Sequence, residues 1–198
     1  MYQTINATLL AALVLGVSTP VLAEQQTPTG AMLANNCTGC HGSDGVSNGP
    51  SIPSIGGLNE EYFVGIMNAY KDGTAYSTIM GRLVKGYSED EIKAMANFYA
   101  KKSFVDAIQK SNTNLAKTGK DLHEKYCETC HEKGGADSSE SGILAGQWIP
   151  YLQWTIADFK NGKRTVDKKM LKKLEQMFSQ KGDEGIDALI NYYAAQKK

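Results

Sequence analysis

The chain has 198 residues, a length that fits one medium domain or two small ones. Its 21 basic and 21 acidic side chains balance, which excludes the strongly basic surface typical of nucleic-acid-binding proteins. Charged residues make up 21% and hydrophobic residues 41% of the chain, a composition that excludes disorder over its whole length.

The N-terminus is typical of an export signal. Residues 7–17 are apolar, but this run is well short of the roughly 20 residues that a membrane span needs. The sequence VLA at 21–23 forms a small-x-Ala cleavage site. We predict a signal peptide over 1–23 and a mature periplasmic chain from Glu24 that has no membrane span. A retained membrane anchor is the alternative, which the short apolar run disfavours.

Two motifs of the form C-x-x-C-H, at 37–41 and 127–131, contain all four cysteines of the chain. Matching residues follow both motifs at displacements of 89 to 94 positions. Agreement at several separate places indicates a duplicated unit of roughly 85 residues. We predict two domains, unit one (24–110) and unit two (111–198), joined by a polar linker at 110–114.

The predicted elements of each unit are helices. Ser88 and Glu91 form a capping box, and apolar residues follow them at helical spacing. These apolar residues are Ile92, Met95, Ala96 and Tyr99. A middle helix is predicted over 60–71, with its counterpart over 149–160. No segment alternates with the period of a strand, so we predict an all-α fold.

The motif C-x-x-C-H is the attachment sequence of c-type haem. Its spacing lets one helical turn present both sulfurs to the two vinyl groups of one porphyrin edge, and the histidine then lies under the iron as the proximal ligand. We therefore predict two covalently bound haems, which also fill the cores of two small units. The predicted attachment and proximal residues are Cys37, Cys40 and His41 for haem one, and Cys127, Cys130 and His131 for haem two.

Three other uses of these cysteines are less well supported. A C-x-x-C redox disulfide explains neither the following histidine nor the duplication. A zinc site formed by both motifs would need them about 15–20 residues apart, whereas 86 residues separate them here. Two structural disulfides are possible in an oxidising compartment, but they too leave the histidines unexplained.

The sixth iron ligand separates electron carriers from haem enzymes. His123, the remaining histidine, lies four positions before Cys127 and points along its own helix, so we predict that it is an ordinary surface or packing residue. A haem enzyme such as a di-haem peroxidase would need an open iron position and a distal acid–base group. We therefore predict an electron-transfer protein with no catalytic residues of its own.

Methionine is the remaining candidate for the sixth ligand. Met80 and Met170 match each other in the repeat, and each lies 39 residues after its proximal histidine. The other candidates are matched by residues that cannot bind iron or have no counterpart; they are Met32, Met67, Met95 and Met177. We predict that Met80 and Met170 complete the two iron sites. Ligation by His and Met closes both axial positions and raises the reduction potential.

Five stretches of the chain resemble the di-haem cytochrome subunit of flavocytochrome c sulfide dehydrogenase. They read NNCTGCHG, STIMGRLVKGYS, KYCETCH, ILAGQWIPYLQ and DKKMLKKL. The first and fourth are shared with di-haem cytochromes of the c-four type, which usually repeat the LAGQ element in both halves. Unit one has Ser54-Ile55-Gly56-Gly57 instead, and this departure favours the flavocytochrome subunit.

The resemblance implies two tandem class I-type cytochrome c domains and the haem ligands named above. It also implies a separate subunit that carries FAD, oxidises sulfide and passes electrons into this chain. The chain would then be the electron-transfer subunit of a sulfide–cytochrome c oxidoreductase whose catalytic site is elsewhere. The alternative is a free-standing c-four-like carrier that delivers electrons to a terminal oxidase or reductase.

The charges of the two units differ in sign. Unit one has 7 basic and 9 acidic side chains, and unit two has 14 and 12. The basic excess of unit two lies around Met170, at Lys160, Lys163, Arg164, Lys168, Lys169, Lys172 and Lys173. A positive rim at a haem edge steers an acidic redox partner. We predict that unit two faces a soluble electron acceptor and that unit one faces the flavoprotein, although a solvated helix face explains the same charges.

Overall fold

The computed structural model describes residues 27–137 and 141–198. The signal peptide predicted at 1–23 lies outside the described residues. The described part of unit one contains α1 (Gly30–Ala34), α2 (Thr38–His41), α3 (Glu60–Asp72), α4 (Met80–Leu83) and α5 (Glu89–Ala100). That of unit two contains α6 (Thr113–Tyr126), α7 (Glu132–Gly135), α8 (Ile149–Lys160) and α9 (Lys168–Ala195). The all-α prediction is confirmed, since these residues hold one isolated β-bridge and no strand.

The predicted helix signals are present. The Ser88 side chain accepts a hydrogen bond from the Glu91 backbone N–H while the Glu91 carboxylate accepts one from the Ser88 backbone N–H. The apolar positions that follow them on α5 are buried: Ile92, Met95, Ala96 and Tyr99. Gly73, with a φ of 75°, ends α3, because glycine adopts the left-handed conformation without strain. The middle helices α3 and α8 occupy the predicted ranges.

In each unit the helix before the cysteine motif crosses the last helix at a glycine. A Cβ atom on Gly30 of α1 would overlap the backbone oxygen of Ala94 in α5. A Cβ atom on Gly119 of α6 would overlap the backbone oxygen of Ala188 in α9. The two crossings involve corresponding residues, so the duplication extends to the way in which the helices pack.

The segment between the units differs from the predicted linker at 110–114. Asn112 caps α6, which begins at Thr113, so the second half of the predicted linker is helical. The non-helical segment begins earlier and lies against unit two. Its backbone bonds there through Ala107, whose N–H donates to the Gly146 oxygen at 2.7 Å.

Helix α9 is interrupted at Gly182, where φ is 58° and ψ is −150°. Residues 168–181 therefore form a separate first half, which carries the predicted ligand Met170. Unit one has only the short α4 and a 3-10 turn at Val84–Gly86 in the corresponding place. The first half of α9 is thus the main difference between the two units.

The units meet at corresponding residues. Ala75 and Arg164 form an antiparallel β-bridge, and the neighbouring Tyr76 N–H donates to the Lys163 oxygen at 3.0 Å. Positions 75 and 164 match each other in the repeat. An antiparallel contact between matching residues places a local two-fold axis at this bridge.

A second contact between the units passes through the LAGQ element at 144–147. The side-chain amide of Gln147 accepts a hydrogen bond from the Ser54 N–H at 3.1 Å and donates one to the Ser54 oxygen at 3.0 Å. Backbone hydrogen bonds align this element with residues 55–58 rather than with 54–57. Leu58 therefore corresponds to Gln147, and the expected pairing was wrong by one residue.

Within the described ranges, no helix is both long and apolar enough to cross a membrane.

Candidate haem sites

Unit two contains a cavity of about 490 Å³, within the size range of cofactor and small-molecule sites. Four residues predicted to bind haem two line it: Cys127, Cys130, His131 and Met170. Most of the other lining side chains are apolar, among them Leu152, Ile156, Phe159, Leu174 and Leu189. The fold therefore brings two sulfurs for attachment, one imidazole and one thioether to a single apolar cavity.

Different elements bring these residues together. The turn after α6 carries the cysteine motif, where the His131 N–H donates to the Cys127 oxygen at 2.9 Å. The first half of α9 carries Met170, whose N–H is capped by the Asp167 carboxylate. Met177, about two helical turns after Met170 in the same stretch, also lines the cavity and is buried. Met177 is therefore a second thioether at this site. The comparison of the two repeats had excluded it as a ligand candidate.

Both motif histidines are held through Nδ1. The Nδ1 atom of His41 donates to the Pro53 oxygen at 2.9 Å, and that of His131 lies 3.1 Å from the Ser141 hydroxyl. These bonds leave Nε2 available to a metal. Burial lowers the pKa of His41, and burial, with a smaller contribution from the neighbouring His123, lowers the pKa of His131 to about 4. Both imidazoles are therefore neutral at pH 7, the form that binds iron.

The predicted site of unit one has the same components. Cys37 is partly buried and Cys40 is exposed, while His41 is 8% exposed. Met80 begins α4 and packs at the edge of the hydrophobic core of unit one. All four cysteines of the chain lie in the described residues as free thiols.

A buried tyrosine supports the first cysteine of each motif. The side chains of Tyr99 and Cys37 form a hydrogen bond, and those of Tyr193 and Cys127 form the corresponding one. In unit two the network continues, because Tyr193 bonds to His123 at 3.0 Å. His123 also contacts Glu128 and is fully buried, so it is a packing residue. The sequence did not reveal this hydrogen-bond network.

Part of the predicted basic rim surrounds the cavity. Lys169, Lys172 and Lys173 line it, while Lys160 pairs with Asp183 at 2.8 Å. Arg164 was wrongly assigned to this exposed rim, because it is only 9% exposed. Its position between the units could not be read from a run of charges on the sequence.

These residues fit a covalently bound haem. Paired cysteines, a neutral imidazole with free Nε2 and a thioether are the protein groups that c-type haem uses. An apolar cavity also suits the porphyrin, which would complete the core of a small unit. Which sulfur and nitrogen atoms bind the haem remains a prediction.

No protein-family model matches the chain. Cytochrome c4 of Pseudomonas aeruginosa is 28% identical over 165 residues, which cover 78% of this chain and 81% of that protein. The cytochrome subunit of sulfide dehydrogenase of Chlorobaculum tepidum is 43% identical over 70 residues, 35% of this chain and 63% of that protein. Cytochrome c-553 of Nitratidesulfovibrio vulgaris is 35% identical over 95 residues, 46% of this chain and 88% of that protein.

The fold is similar to the crystal structure of reduced recombinant cytochrome c4 from Pseudomonas stutzeri. The TM-score is 0.73 at 22% identity, and the match covers 85% of this chain and 97% of that one. The chain belongs to the c-type cytochromes. Within them it is a di-haem electron carrier related both to cytochrome c4 and to the cytochrome subunit of sulfide dehydrogenase.

Proposed function

We propose that the chain is exported to the periplasm after cleavage of residues 1–23 and carries single electrons through two haems, one in each of the domains 24–110 and 111–198. The observation that carries this proposal is the unit-two cavity, where the cysteine motif and Met170 meet. The bound haem iron would supply the reversible one-electron step. The protein residues hold it and set its potential.

The ligands act as follows in this proposal. His41 and His131 would hold iron through Nε2, because their Nδ1 atoms are engaged with Pro53 and Ser141. Met80 and Met170 would hold the same irons through soft thioethers, which would favour the reduced iron and raise the potential. A closed iron excludes small oxidants from direct binding. Electron transfer without bond-making is then the function that the site supports.

We further propose that the electron donor is a subunit that carries FAD and oxidises sulfide. The 43% identity to the cytochrome subunit of a sulfide dehydrogenase supports this donor, as do the STIMGRLVKGYS and DKKMLKKL stretches. FAD belongs to the partner in this proposal, and the present chain would perform no sulfide chemistry.

The test is purification of the native protein from periplasm at low ionic strength. We expect a flavoprotein to co-purify in a fixed ratio, and added sulfide to reduce both haems of that complex but not those of the isolated cytochrome. A cytochrome that purifies alone and is reduced equally well by unrelated donors would contradict the flavoprotein partner. That result would favour the free-standing carrier, which the 78% coverage of this chain by a cytochrome c4 supports.

A further inference from the structure

Arg164 lies in the contact between the two units. It forms the β-bridge with Ala75, and only 9% of it is exposed. Its guanidinium lies over the ring of Phe159, with 5.3 Å between them, and over the ring of Tyr70, at 5.9 Å. Phe159 belongs to unit two and lines its cavity. Tyr70 is the corresponding residue of unit one and packs against the core there.

Two hydroxyl groups complete the surroundings of Arg164. Its side chain lies beside the hydroxyl groups of Tyr62 and Tyr151, which also correspond in the repeat. The guanidinium thus contacts one tyrosine hydroxyl and one aromatic ring from each unit. This arrangement places it at the contact between the units, beside the local two-fold axis.

The charge of Arg164 has no partner of opposite sign among the described residues. Within 27–137 and 141–198, no carboxylate forms an ion pair with its guanidinium. Asp158 contributes its backbone oxygen, not its carboxylate, to the Arg164 backbone N–H at 3.3 Å. Burial of an arginine without an anion is unfavourable, and hydroxyls and ring faces offset it only in part. The site is therefore incomplete without an anionic group.

The site has one cation for two units. Ala75, which corresponds to Arg164, is uncharged and 5% exposed. A second arginine at position 75 would place two like charges together on the axis. One guanidinium between two equivalent units can therefore bind an anionic group from unit one or from unit two.

We propose that Arg164, with the hydroxyls of Tyr62 and Tyr151, binds the carboxylate of a haem propionate, supplied by haem one, haem two or both. This inference rests on the proposed function, because it requires the two haems. The planar guanidinium suits a carboxylate through two parallel hydrogen bonds. A cation held against a propionate favours the reduced iron, so Arg164 would raise the potential of each haem whose propionate it binds.

The experiment compares wild-type holoprotein with Arg164→Gln, Arg164→Lys and Lys163→Gln. Haem propionate carboxyls are labelled with ¹³C through labelled δ-aminolevulinate, and their signals are recorded in the reduced protein. Lys163→Gln is the matched control, because it removes the same charge from the adjacent, exposed position. Absorbance per chain counts the haems first, because wild-type protein without two haems would refute the proposed function, and this outcome is thereby seen separately.

We expect Arg164→Gln to move the propionate signals while two haems per chain are retained. Movement at haem one, haem two or both supports the site and identifies the source of the carboxylate. The equilibrium constant for reduction of the affected haem should fall about tenfold, or about 59 mV for one electron. Arg164→Lys should lie between wild type and Arg164→Gln and serves as the folded variant if glutamine prevents folding. Propionate signals and potentials that match the Lys163→Gln control in both Arg164 variants would overturn the proposal.

Discussion

The four residues proposed as iron ligands differ in how firmly the protein holds them. His41 and His131 are each fixed by a hydrogen bond at Nδ1, so they are oriented before any metal binds. Met80 and Met170 stand at helix starts and are half-buried. Loss of a methionine should therefore open an iron without releasing the haem, which the thioether bonds retain.

Met80→Ala and Met170→Ala should each affect one of the two haems. Each variant should convert about half of the ferric haem spectrum to that of an open iron, because one of two haems loses its sixth ligand. The reduction potential of that haem should fall while two haems per chain remain.

The matched controls are Met67→Leu and Met177→Leu, which replace buried methionines by an apolar residue of similar size. Each control should leave the ferric haem spectrum of the protein unchanged. A normal spectrum in Met170→Ala together with an altered one in Met177→Leu would show that the wrong thioether of the unit-two cavity was identified.

The sequence alone predicted only part of the haem sites. The repeat singled out Met80 and Met170 because matching positions share a role. It could not reveal that Met177 turns into the same cavity, since the first half of α9 has no counterpart of that length in unit one. Arg164 was misread as a surface charge, because its burial depends on a contact between units that are 89 positions apart in sequence.

At the scale of helices, the glycine crossings determine how closely α1 meets α5 and α6 meets α9. Gly30→Ala and Gly119→Ala would each push a methyl group into a backbone oxygen. Overpacking of this kind costs about 1–3 kcal/mol. We expect each variant to lower the free energy of unfolding by that amount, measured by denaturant titration of the holoprotein.

The control is Gly65→Ala in the interior of α3, where a Cβ atom meets nothing within 4 Å. Alanine there should raise stability by about 0.5–1 kcal/mol, because glycine is unfavourable inside a helix. Equal changes in the free energy of unfolding in all three variants would mean that the helices are not close-packed at the crossings.

The lysines on the first half of α9 define a second prediction at this scale. Lys168→Glu, Lys169→Glu and Lys172→Glu together should slow reoxidation by a soluble acidic acceptor about tenfold at low salt, because steering by opposite charge is lost. The flavin-to-haem rate should change little. The rates are measured by stopped-flow absorbance at several salt concentrations.

The matched control reverses Lys110, Lys117 and Lys120, three exposed lysines that do not line the cavity. It changes the net charge by the same amount. If both triple variants slow reoxidation equally, or neither responds to salt, the lysines of α9 are only a solubilising face.

Sequence patterns predicted helices well where the signal was local. The capping box at Ser88 and the apolar spacing after it are complete within twelve residues, and α5 forms there. The linker was less predictable, because Asn112 caps α6 while the preceding segment is held by unit two through Ala107. Such a segment has no periodicity of its own.

For the molecule as a whole, the contact between units depends on a few buried polar groups. Gln147 satisfies both backbone groups of Ser54, and the two residues are 3% and 2% exposed. Gln147→Leu keeps the volume but leaves a buried N–H and C=O without partners, which costs about 1–3 kcal/mol for each group. We expect this variant to separate a single thermal unfolding transition into two.

Calorimetry of the holoprotein checks this, with Gln153→Leu on the exposed face of α8 as control. A single transition at the wild-type temperature in Gln147→Leu would contradict a structural coupling of the units through Ser54.

The most direct test of the account is the intact mass of the exported protein, followed by peptide mapping. We predict a chain that begins near Glu24 and carries two haem additions, one on the peptide with Cys37 and Cys40 and one on the peptide with Cys127 and Cys130. A haem-free chain with either pair oxidised to a disulfide would contradict the account.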